Sequence, residues 1–311
     1  MSSVSRTIVC AGIIALDQVF RVDHLPTSGE KISARSLFMV NGGCAANAAV
    51  AIARLGGRAA LAGPLGGPAR VDTYGDQVLA ALRPEGVDCG ACVRVAGAAS
   101  PLSAILLEPS GERTIATHRD KGLDSARPAH PEALVAPADA VLVDNHFVDF
   151  VLPICKAARA RGIPLVLDGD RPTQVSDPLF NLATHLVFSS ECLRATVRIH
   201  ELGTALECMG NVTGTFVAVT NGPGDVLWRH EGLLRKTPVP RIDAIDTLAA
   251  GDVFHGAFAL ALAEGQEIGA CMRFAVTAAS LKCTRLGGSM AAPSRSELDA
   301  KITTHRESGS A

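Results

Sequence analysis

Small residues in front of a single carboxylate mark the segment 245–265 as the most informative part of the chain. Ala249, Ala250 and Gly251 directly precede Asp252, and nearly every later residue is small or apolar as far as Gly265. A run without a polar face is typical of a helix that is buried on most sides. The first turn of a helix presents unpaired N–H groups and partial positive charge, so small residues there let an anion approach closely. The pattern predicts a phosphate site with a carboxylate beside it.

That carboxylate suits one chemical task. Asp252 could accept the proton of a hydroxyl that attacks a phosphoryl group, while the helix N-terminus stabilises the phosphoryl charge. A purely structural role is open as well, because an aspartate at this position also caps a helix and offsets its dipole. Gly256 lies one turn further on and predicts close packing of another helix beneath the carboxylate.

A second polar group lies near the N-terminus, in front of another helix of small residues. Gly42 and Gly43 permit close backbone approach to a ligand, and Asn47 offers the donors and acceptors that a polyhydroxyl compound requires. Asp17 follows the apolar run Ile8–Leu16, which we interpret as the first strand. Asp17 is therefore expected at the edge where parallel sheets present ligand-binding groups.

The elements that must position these residues follow from the pattern of apolar segments. From Ala140 onwards, continuous apolar runs alternate with helical segments, which predicts a parallel sheet covered on both faces. Acidic residues follow the predicted strands and should collect at one edge of the sheet; they are Asp144, Asp168, Asp170 and Glu191.

Short segments of alternating polarity predict strands outside that sheet. They are Val19–Leu25 and Ile32–Val40, followed later by a hairpin of Ser103–Leu107 and Arg113–Thr117. Lys31 lies on the first pair and could reach an anionic group of a ligand.

Composition limits the partners that the chain could have. Its 311 residues contain 29 basic and 31 acidic side chains, so the charge balance gives no reason to expect nucleic acid or an anionic membrane surface. One Trp and one Tyr leave few platforms for base stacking. The apolar run at the N-terminus is too short to span a bilayer.

The nine cysteines are scattered, mostly in apolar runs, as expected for buried thiols in a reducing cytoplasm. Cys89 and Cys92 form a C-x-x-C pair that could bind zinc or do redox chemistry, but the pair stands alone. We interpret both as loop cysteines.

The segment around Asp252 resembles the second signature of the ribokinase-like (PfkB) sugar kinases, D-T-x-G-A-G-D-x-F. Its matching residues are Asp246, Thr247, Ala250, Gly251, Asp252 and Phe254. The departure is Ala249, where the family usually has glycine; alanine can supply the same N–H provided that its φ is negative. The segment with Gly42, Gly43 and Asn47 is similar to the first signature, G-G-x-x-x-N followed by R-L-G.

This resemblance implies a ribokinase-like three-layer α/β/α fold with a central, mainly parallel sheet and a small β-strand lid. It implies a single kinase domain over residues 1–311, with lid segments at about 18–40 and 93–119. It also implies an ATP-dependent kinase that uses Mg²⁺. The scattered cysteines favour the cytoplasm, and an exposed edge of the lid sheet could pair with a second copy.

The resemblance implies roles for particular residues. Catalysis would fall to Asp252 with the amides of Ala249, Ala250 and Gly251, and sugar binding to Asp17, Gly42, Gly43, Asn47 and Lys31. ATP would contact Thr220, Gly222, Gly224 and Thr247. Glu191 would help to hold magnesium, although Phe188 stands where the family's N-x-x-E motif has its asparagine.

Within the family, the segments 168–170, 251–256 and 281–285 most resemble those of ketohexokinase and sulfofructose kinase, which implies a ketose or a keto-sugar acid as substrate. His146 stands where a sulfonate-binding arginine is expected, which argues against a sulfonated sugar. A nucleoside kinase of the same fold is an alternative, with Phe20 and Phe38 as a clamp on the base. A non-catalytic sugar-binding regulator is another, and the intact Asp252 argues against it.

Overall fold

The computed structural model describes residues 5–111 and 113–308 as one chain of alternating strands and helices. The strands are β1 (Thr7–Ala11), β2 (Ala15–Arg21), β3 (Ser36–Gly42), β4 (Arg58–Ala62), β5 (Pro64–Gly67), β6 (Val93–Ala96), β7 (Leu102–Leu107), β8 (Arg113–His118), β9 (Ala140–Asp144), β10 (Leu165–Gly169), β11 (His185–Ser189), β12 (Phe216–Asn221), β13 (Gly224–His230) and β14 (Leu233–Thr237). The helices are α1 (Cys44–Arg54), α2 (Thr73–Leu82), α3 (Pro131–Val135), α4 (Val148–Arg161), α5 (Pro178–Leu182), α6 (Ser190–Val197), α7 (Leu202–Thr213), α8 (Ala250–Ala263), α9 (Ile268–Cys283) and α10 (Arg295–Ser308).

Eight strands form the central sheet, in the order β14-β13-β12-β11-β10-β9-β1-β4. The strands from β12 to β4 pair in parallel, and β13 and β14 are added antiparallel at one edge. Alternate residues of β1 belong to different cores: Ile8 lies in the hydrophobic cluster that includes residues of α1, α8 and α9, whereas Val9 lies in the cluster that includes residues of α4 and α7. The predicted three-layer α/β/α fold with a mainly parallel sheet is confirmed.

A separate four-stranded sheet, in the order β3-β2-β7-β8, forms the lid. Asp17 lies in the middle of its strand β2. The prediction of one strand over Ile8–Leu16, with Asp17 at its end, is therefore wrong. The chain turns between β1 and β2 because Gly12 and Ile13 wrap around a carboxylate: a Cβ on Gly12 would lie 1.9 Å from Asp144 Oδ2, and the Ile13 N–H donates to the same oxygen at 2.8 Å.

The first pair of lid strands is also shifted relative to its prediction. The second strand begins at Ser36 rather than Ile32. The preceding loop contains a local turn in which Thr27 donates from both its N–H and its hydroxyl to the carboxylate of Glu30, each at 2.9 Å. The predicted hairpin of β7 and β8 is confirmed. Strand β6, which lies within the expected lid segment 93–119, pairs with β5 in a small sheet of its own.

Helix α8 occupies the segment that the apolar run predicted. It ends at Ala263, just before Gly265, whose φ is 75°. The predicted close packing at Gly256 is confirmed, since an added Cβ would lie 2.6 Å from the carbonyl oxygen of Ala48 in α1. Among the described residues, no helix combines the length and apolarity needed to cross a bilayer.

Candidate active site

Asp252 lies in the first turn of α8 and faces α1. Its Oδ2 accepts a hydrogen bond from Asn47 Nδ2 at 2.7 Å. Burial raises the pKa of Asp252 to about 7; the Asn47 hydrogen bond opposes the rise, and the nearby carboxylates of Asp170 and Asp17 add to it. The side chain therefore changes charge near neutral pH, as a general base for a hydroxyl requires.

A chain of amides fixes the orientation of Asn47. Asn47 Oδ1 accepts from Asn41 Nδ2 at 2.9 Å, which leaves Asn47 Nδ2 to donate to Asp252. Asn41 Nδ2 also donates to Ser289 Oγ at 2.9 Å. Asn41 Oδ1 is buried and has no hydrogen-bond partner in the part of the chain that the structure describes. Neither Asn41 nor Ser289 was identified from the sequence, because their positions depend on contacts between distant segments.

Asp17 enters the same cleft from the lid. The strand register places it beside Val40 on β3 and Ser103 on β7. Burial raises its pKa to about 6, and the Ser103 hydroxyl moderates the rise. A Cβ on Gly42 would lie 2.2 Å from Asp17 Cγ, so the glycine is what allows the carboxylate to occupy this position. Gly43 caps α1 with a φ of 89°, in the region that favours glycine.

We call residues 246–252 the anion turn. Ala249 has a φ of 62°, so the condition under which alanine replaces glycine without strain is not met, and an alanine occupies a left-handed conformation. The Ala250 N–H donates to the Thr247 carbonyl at 3.2 Å. Within residues 5–111 and 113–308, the N–H groups of Ala249, Gly251 and Asp252 donate to no acceptor. An added Cβ on Gly251 would have no atom within 4 Å, so open space adjoins the free amides.

The hydroxyl of Thr247 forms two hydrogen bonds with the lid segment. It accepts from Arg113 Nη1 at 2.6 Å and donates to the Gly111 carbonyl at 3.2 Å. Leu248 packs with the apolar residues of the lid's inner face, among them Val19 and Ile105. The anion turn and the lid are therefore directly connected.

The other residues expected to bind ligands lie at more open positions. Thr220, the penultimate residue of β12, donates from its hydroxyl to the Phe188 carbonyl at 3.4 Å; Gly222 lies in the following turn, and Gly224 begins β13. The exposed Lys31 lies in the loop between β2 and β3 rather than on a strand.

Acidic residues meet at one sheet edge, as the sequence indicated. The Asp144 carboxylate accepts from the His146 N–H at 3.0 Å, and His146 Nε2 lies 2.8 Å from Asp170 Oδ2, a contact that lowers the pKa of Asp170. The pKa of Asp168 is raised well above its usual range by burial and by neighbouring carboxylates.

His255, on α8, is buried beside this edge. Its Nδ1 lies 2.7 Å from the Gly251 carbonyl and 3.4 Å from Asp168 Oδ2, and burial lowers its pKa. These contacts hold the first turn of α8 against the sheet, which makes His255 a support for the site.

Two groups of possible metal ligands occur among the described residues. Cys44, Asp168 and Asp252 can bring one ligand atom each within 4.8 Å of one another, and so can Cys44, His146 and Asp170. Magnesium prefers oxygen ligands and keeps several waters, so the carboxylates fit it and the thiol does not. Phosphate and water would have to complete its shell. Glu191 belongs to neither group; it is exposed in the first turn of α6.

Comparisons with known proteins show the family to which the chain belongs. A profile of the pfkB family carbohydrate kinases matches residues 5–295. The ribokinase of Bacillus subtilis is 30% identical over 300 residues, which cover 94% of this chain and 98% of that protein. An Agrobacterium tumefaciens protein provisionally described as a ribokinase has a crystal structure with a TM-score of 0.92 at 35% identity, covering 97% and 99% of the two chains.

A more distant structure, the Arabidopsis thaliana ribokinase complexed with ribose and ATP, shares the fold with a TM-score of 0.81 at 24% identity, covering 95% of this chain and 98% of that one. The narrower likeness to ketohexokinase and sulfofructose kinase remains a hypothesis.

Proposed function

The chain belongs to the pfkB family of carbohydrate kinases and is therefore an ATP-dependent sugar kinase; we propose that it phosphorylates a primary hydroxyl of a small sugar held between Asp17 and Asn47. The observation that carries this proposal is the meeting of three segments in one cleft. Asp252 from α8 is bonded to Asn47 from α1 at 2.7 Å, and Asp17 from the lid lies near enough to raise the pKa of Asp252.

In this proposal Asp252 accepts the proton of the sugar hydroxyl. A pKa of about 7 gives it more proton affinity than an ordinary aspartate, so it is a better match to the alcohol as the phosphoryl group arrives. Asn47 Nδ2 holds the carboxylate in place, and Asp17, Gly42 and Gly43 orient the sugar hydroxyls. If Asp252 served only to cap α8, it would not need the hydrogen bond that Asn47 donates to it.

The phosphoryl group would lie over the free amides of Ala249, Gly251 and Asp252, where the start of α8 offers N–H donors and open space. The N–H of Ala250 already donates to the Thr247 carbonyl, so Ala250 would help only through its small side chain, which leaves room for the phosphate. The turn with Thr220, Gly222 and Gly224 at the end of β12 would hold ATP at the same sheet edge. Thr247 would act indirectly, through its bonds to the lid.

Magnesium, the usual partner of ATP, would neutralise phosphate charge when it is bound. The carboxylate of Asp168 faces the cleft from β10 and would be the main protein ligand. Glu191 follows β11 at the same edge and would hold metal-bound water. Lys31, on the open lid loop, would attract an anionic substrate only when the lid closes.

Ribose is the first substrate to test, ahead of the ketose or keto-sugar acid expected from the sequence, because the relative at 30% identity is named a ribokinase. A relative at 26% identity is named fructokinase, and one at 24% is named nucleoside kinase. Ribose, fructose and the sugar of a nucleoside each carry a primary hydroxyl, the acceptor group that we propose.

The test is a panel of pentoses, ketoses, keto-sugar acids and nucleosides with ATP and magnesium, scored by ADP release and by the mass of the product. Ribose is expected to give the highest kcat/KM. A preference for a nucleoside would replace the sugar assignment. Absence of product with every acceptor, despite sugar binding, would favour a non-catalytic regulator.

The lid also supports a homodimer. On its outer face, Leu37 and Met39 of β3 are 53% and 47% exposed, and the strand register places Phe20 and Leu106 on the same face. A sheet that leaves apolar residues uncovered suits pairing with a second copy. Light scattering should give the mass of a dimer for the native chain and of a monomer for Leu37→Glu/Met39→Glu. A native monomer would exclude the pairing.

The reducing cytoplasm is our proposed compartment, because all nine cysteines are free thiols in the structure. The domain assignment, one kinase domain with the lid inserted, is likewise a proposal.

A further inference from the structure

Lys282 is a lysine with no exposed surface, at the C-terminal end of α9. Its Nζ donates to the main-chain carbonyl of Asp246 at 2.7 Å and lies 3.2 Å from Asp246 Oδ2. A lysine is rarely buried completely, because removing an ammonium group from water is strongly unfavourable unless it is paired. The pairing here involves the first residue of the anion turn.

Asp246 is a junction between three segments. Its Oδ1 accepts from the Leu248 N–H at 2.8 Å, within the anion turn. Its Oδ2 accepts from the N–H groups of Gly287 and Gly288 at 3.0 and 3.1 Å, in the turn that follows α9. The Asp246 N–H donates to the Cys283 carbonyl at 3.2 Å. The ammonium therefore lies against a residue that ties the start of the anion turn to the end of α9.

The turn that follows α9 is also linked to Asp252, the candidate base, through a chain of hydrogen bonds. The 3₁₀ turn that begins at Gly288 contains Ser289, whose hydroxyl accepts from Asn41, and Asn41 donates in turn to Asn47 beside Asp252. The only other cation bonded to the anion turn in the described residues is Arg113, which contacts the Thr247 side chain from the lid. Among the described residues, Lys282 is therefore the cation that holds the anion turn without belonging to the lid.

We propose that Lys282 is a positioning residue for phosphoryl transfer, whose buried ammonium fixes Asp246 and so aims the free amides of the anion turn at the phosphate. This inference rests on the proposed kinase function and extends it to a residue that touches neither ATP nor sugar. Without the ammonium, the Asp246 carboxylate keeps its N–H donors but loses its ion pair, and the main-chain carbonyl of Asp246 loses its hydrogen-bond donor. The turn can then rotate and carry its amides away from the phosphate.

The first experiment compares Lys282→Met, which keeps the length of the side chain, with Lys156→Met, an exposed lysine on α4, as matched control. Lys282→Met is expected to lower kcat by about 100-fold, the size of effect typical of losing aligned amide donors, and to weaken ATP binding in calorimetry. Sugar affinity should remain within threefold. Lys156→Met should change none of these. A folded Lys282→Met enzyme with kcat and ATP affinity within threefold of the native values would overturn the proposal.

A second experiment separates positioning from simple loss of structure. Lys282→Ala leaves space for a small cation, so methylammonium chloride should raise its turnover saturably, whereas the bulkier tetramethylammonium chloride at equal concentration should not. If Lys282→Met does not fold, Lys282→Ala refolded with methylammonium takes its place. If methylammonium did not change the turnover of Lys282→Ala, the proposal would be overturned.

Calorimetry with ATP also separates this inference from the proposed function. If the native protein phosphorylates no sugar, the kinase proposal fails. A selective loss of ATP affinity in Lys282→Met would still assign the lysine to the anion turn.

Discussion

Burial among other carboxylates raises the pKa of Asp252 to about 7, and this makes the proposed chemistry sensitive to pH. The base must be ionised before it can take a proton, so the active fraction of the free enzyme falls as the pH drops below 7. We expect log kcat/KM for the sugar to fall with a slope of about one per pH unit below about pH 7 and to level off above it. A profile that is flat between pH 5 and pH 8 would contradict the role of Asp252. Circular dichroism over the same range is the control for folding.

The open space beside Gly251 gives a second prediction at the scale of a residue. Gly251→Ala should fold at least as stably as the native chain, because alanine is the better helix former by about 1 kcal/mol. The added methyl would occupy the space through which we propose that phosphate approaches, so kcat/KM for ATP should fall by about tenfold or more. Gly269→Ala, in the first turn of α9, is the matched control, since its new Cβ would meet its nearest neighbour at 3.6 Å. If both variants kept the native kcat/KM for ATP, the phosphate would not approach through the space beside Gly251.

At the scale of elements, Ala249 is a strained cap of α8. Its φ of 62° disfavours any residue with a Cβ by about 1–2 kcal/mol. Ala249→Gly should therefore raise the free energy of unfolding by about 1 kcal/mol, measured in urea. Ala263→Gly, at the other end of the same helix, should lower it by a similar amount, because glycine is the poorer helix former there. A loss of stability in Ala249→Gly would mean that Ala249 is not left-handed in solution.

Helices with local signals could be predicted from the sequence, and α8 is the clearest case. A continuous apolar run and a glycine just beyond its end define it without reference to the rest of the chain. The helical segments predicted after Ala140 are likewise present, among them α4 and α9. The boundary between β1 and β2 could not be predicted, because it depends on Asp144, which lies about 130 residues further along the chain.

The same distinction applies to the candidate site. Asp252, Asn47 and Asp17 could be selected by residue type and spacing, and the structure brings them to one cleft. Lys282 could not, because it stands in a mostly apolar run and its partner lies 36 positions away. The lid contacts of Thr247 escaped prediction for the same reason.

At the scale of the whole molecule, the lid and the anion turn share an apolar contact. Leu248 is 7% exposed and packs with Val19, Ile105 and Leu107 on the inner face of the lid. Leu248→Ala should loosen this contact and raise the KM of both the sugar and ATP, because each lies against one of the two parts. Leu233→Ala, at a 56% exposed position on β14, is the control and should leave both KM values unchanged. A change in stability alone would show that the contact does not serve the cleft.

The most direct test of the central claim, that one carboxylate in a shared cleft serves as the base, is the turnover of Asp252→Asn. Asparagine can still accept the hydrogen bond from Asn47, so the cleft should keep its shape. The variant should also melt higher than the native chain at pH 8, because a raised folded-state pKa means that the ionised Asp252 is unfavourable there, and this difference should vanish towards pH 4. The predicted result is a fall in kcat of about 1000-fold or more with sugar affinity within threefold. A folded variant that binds sugar and keeps kcat within tenfold of the native value would contradict the claim.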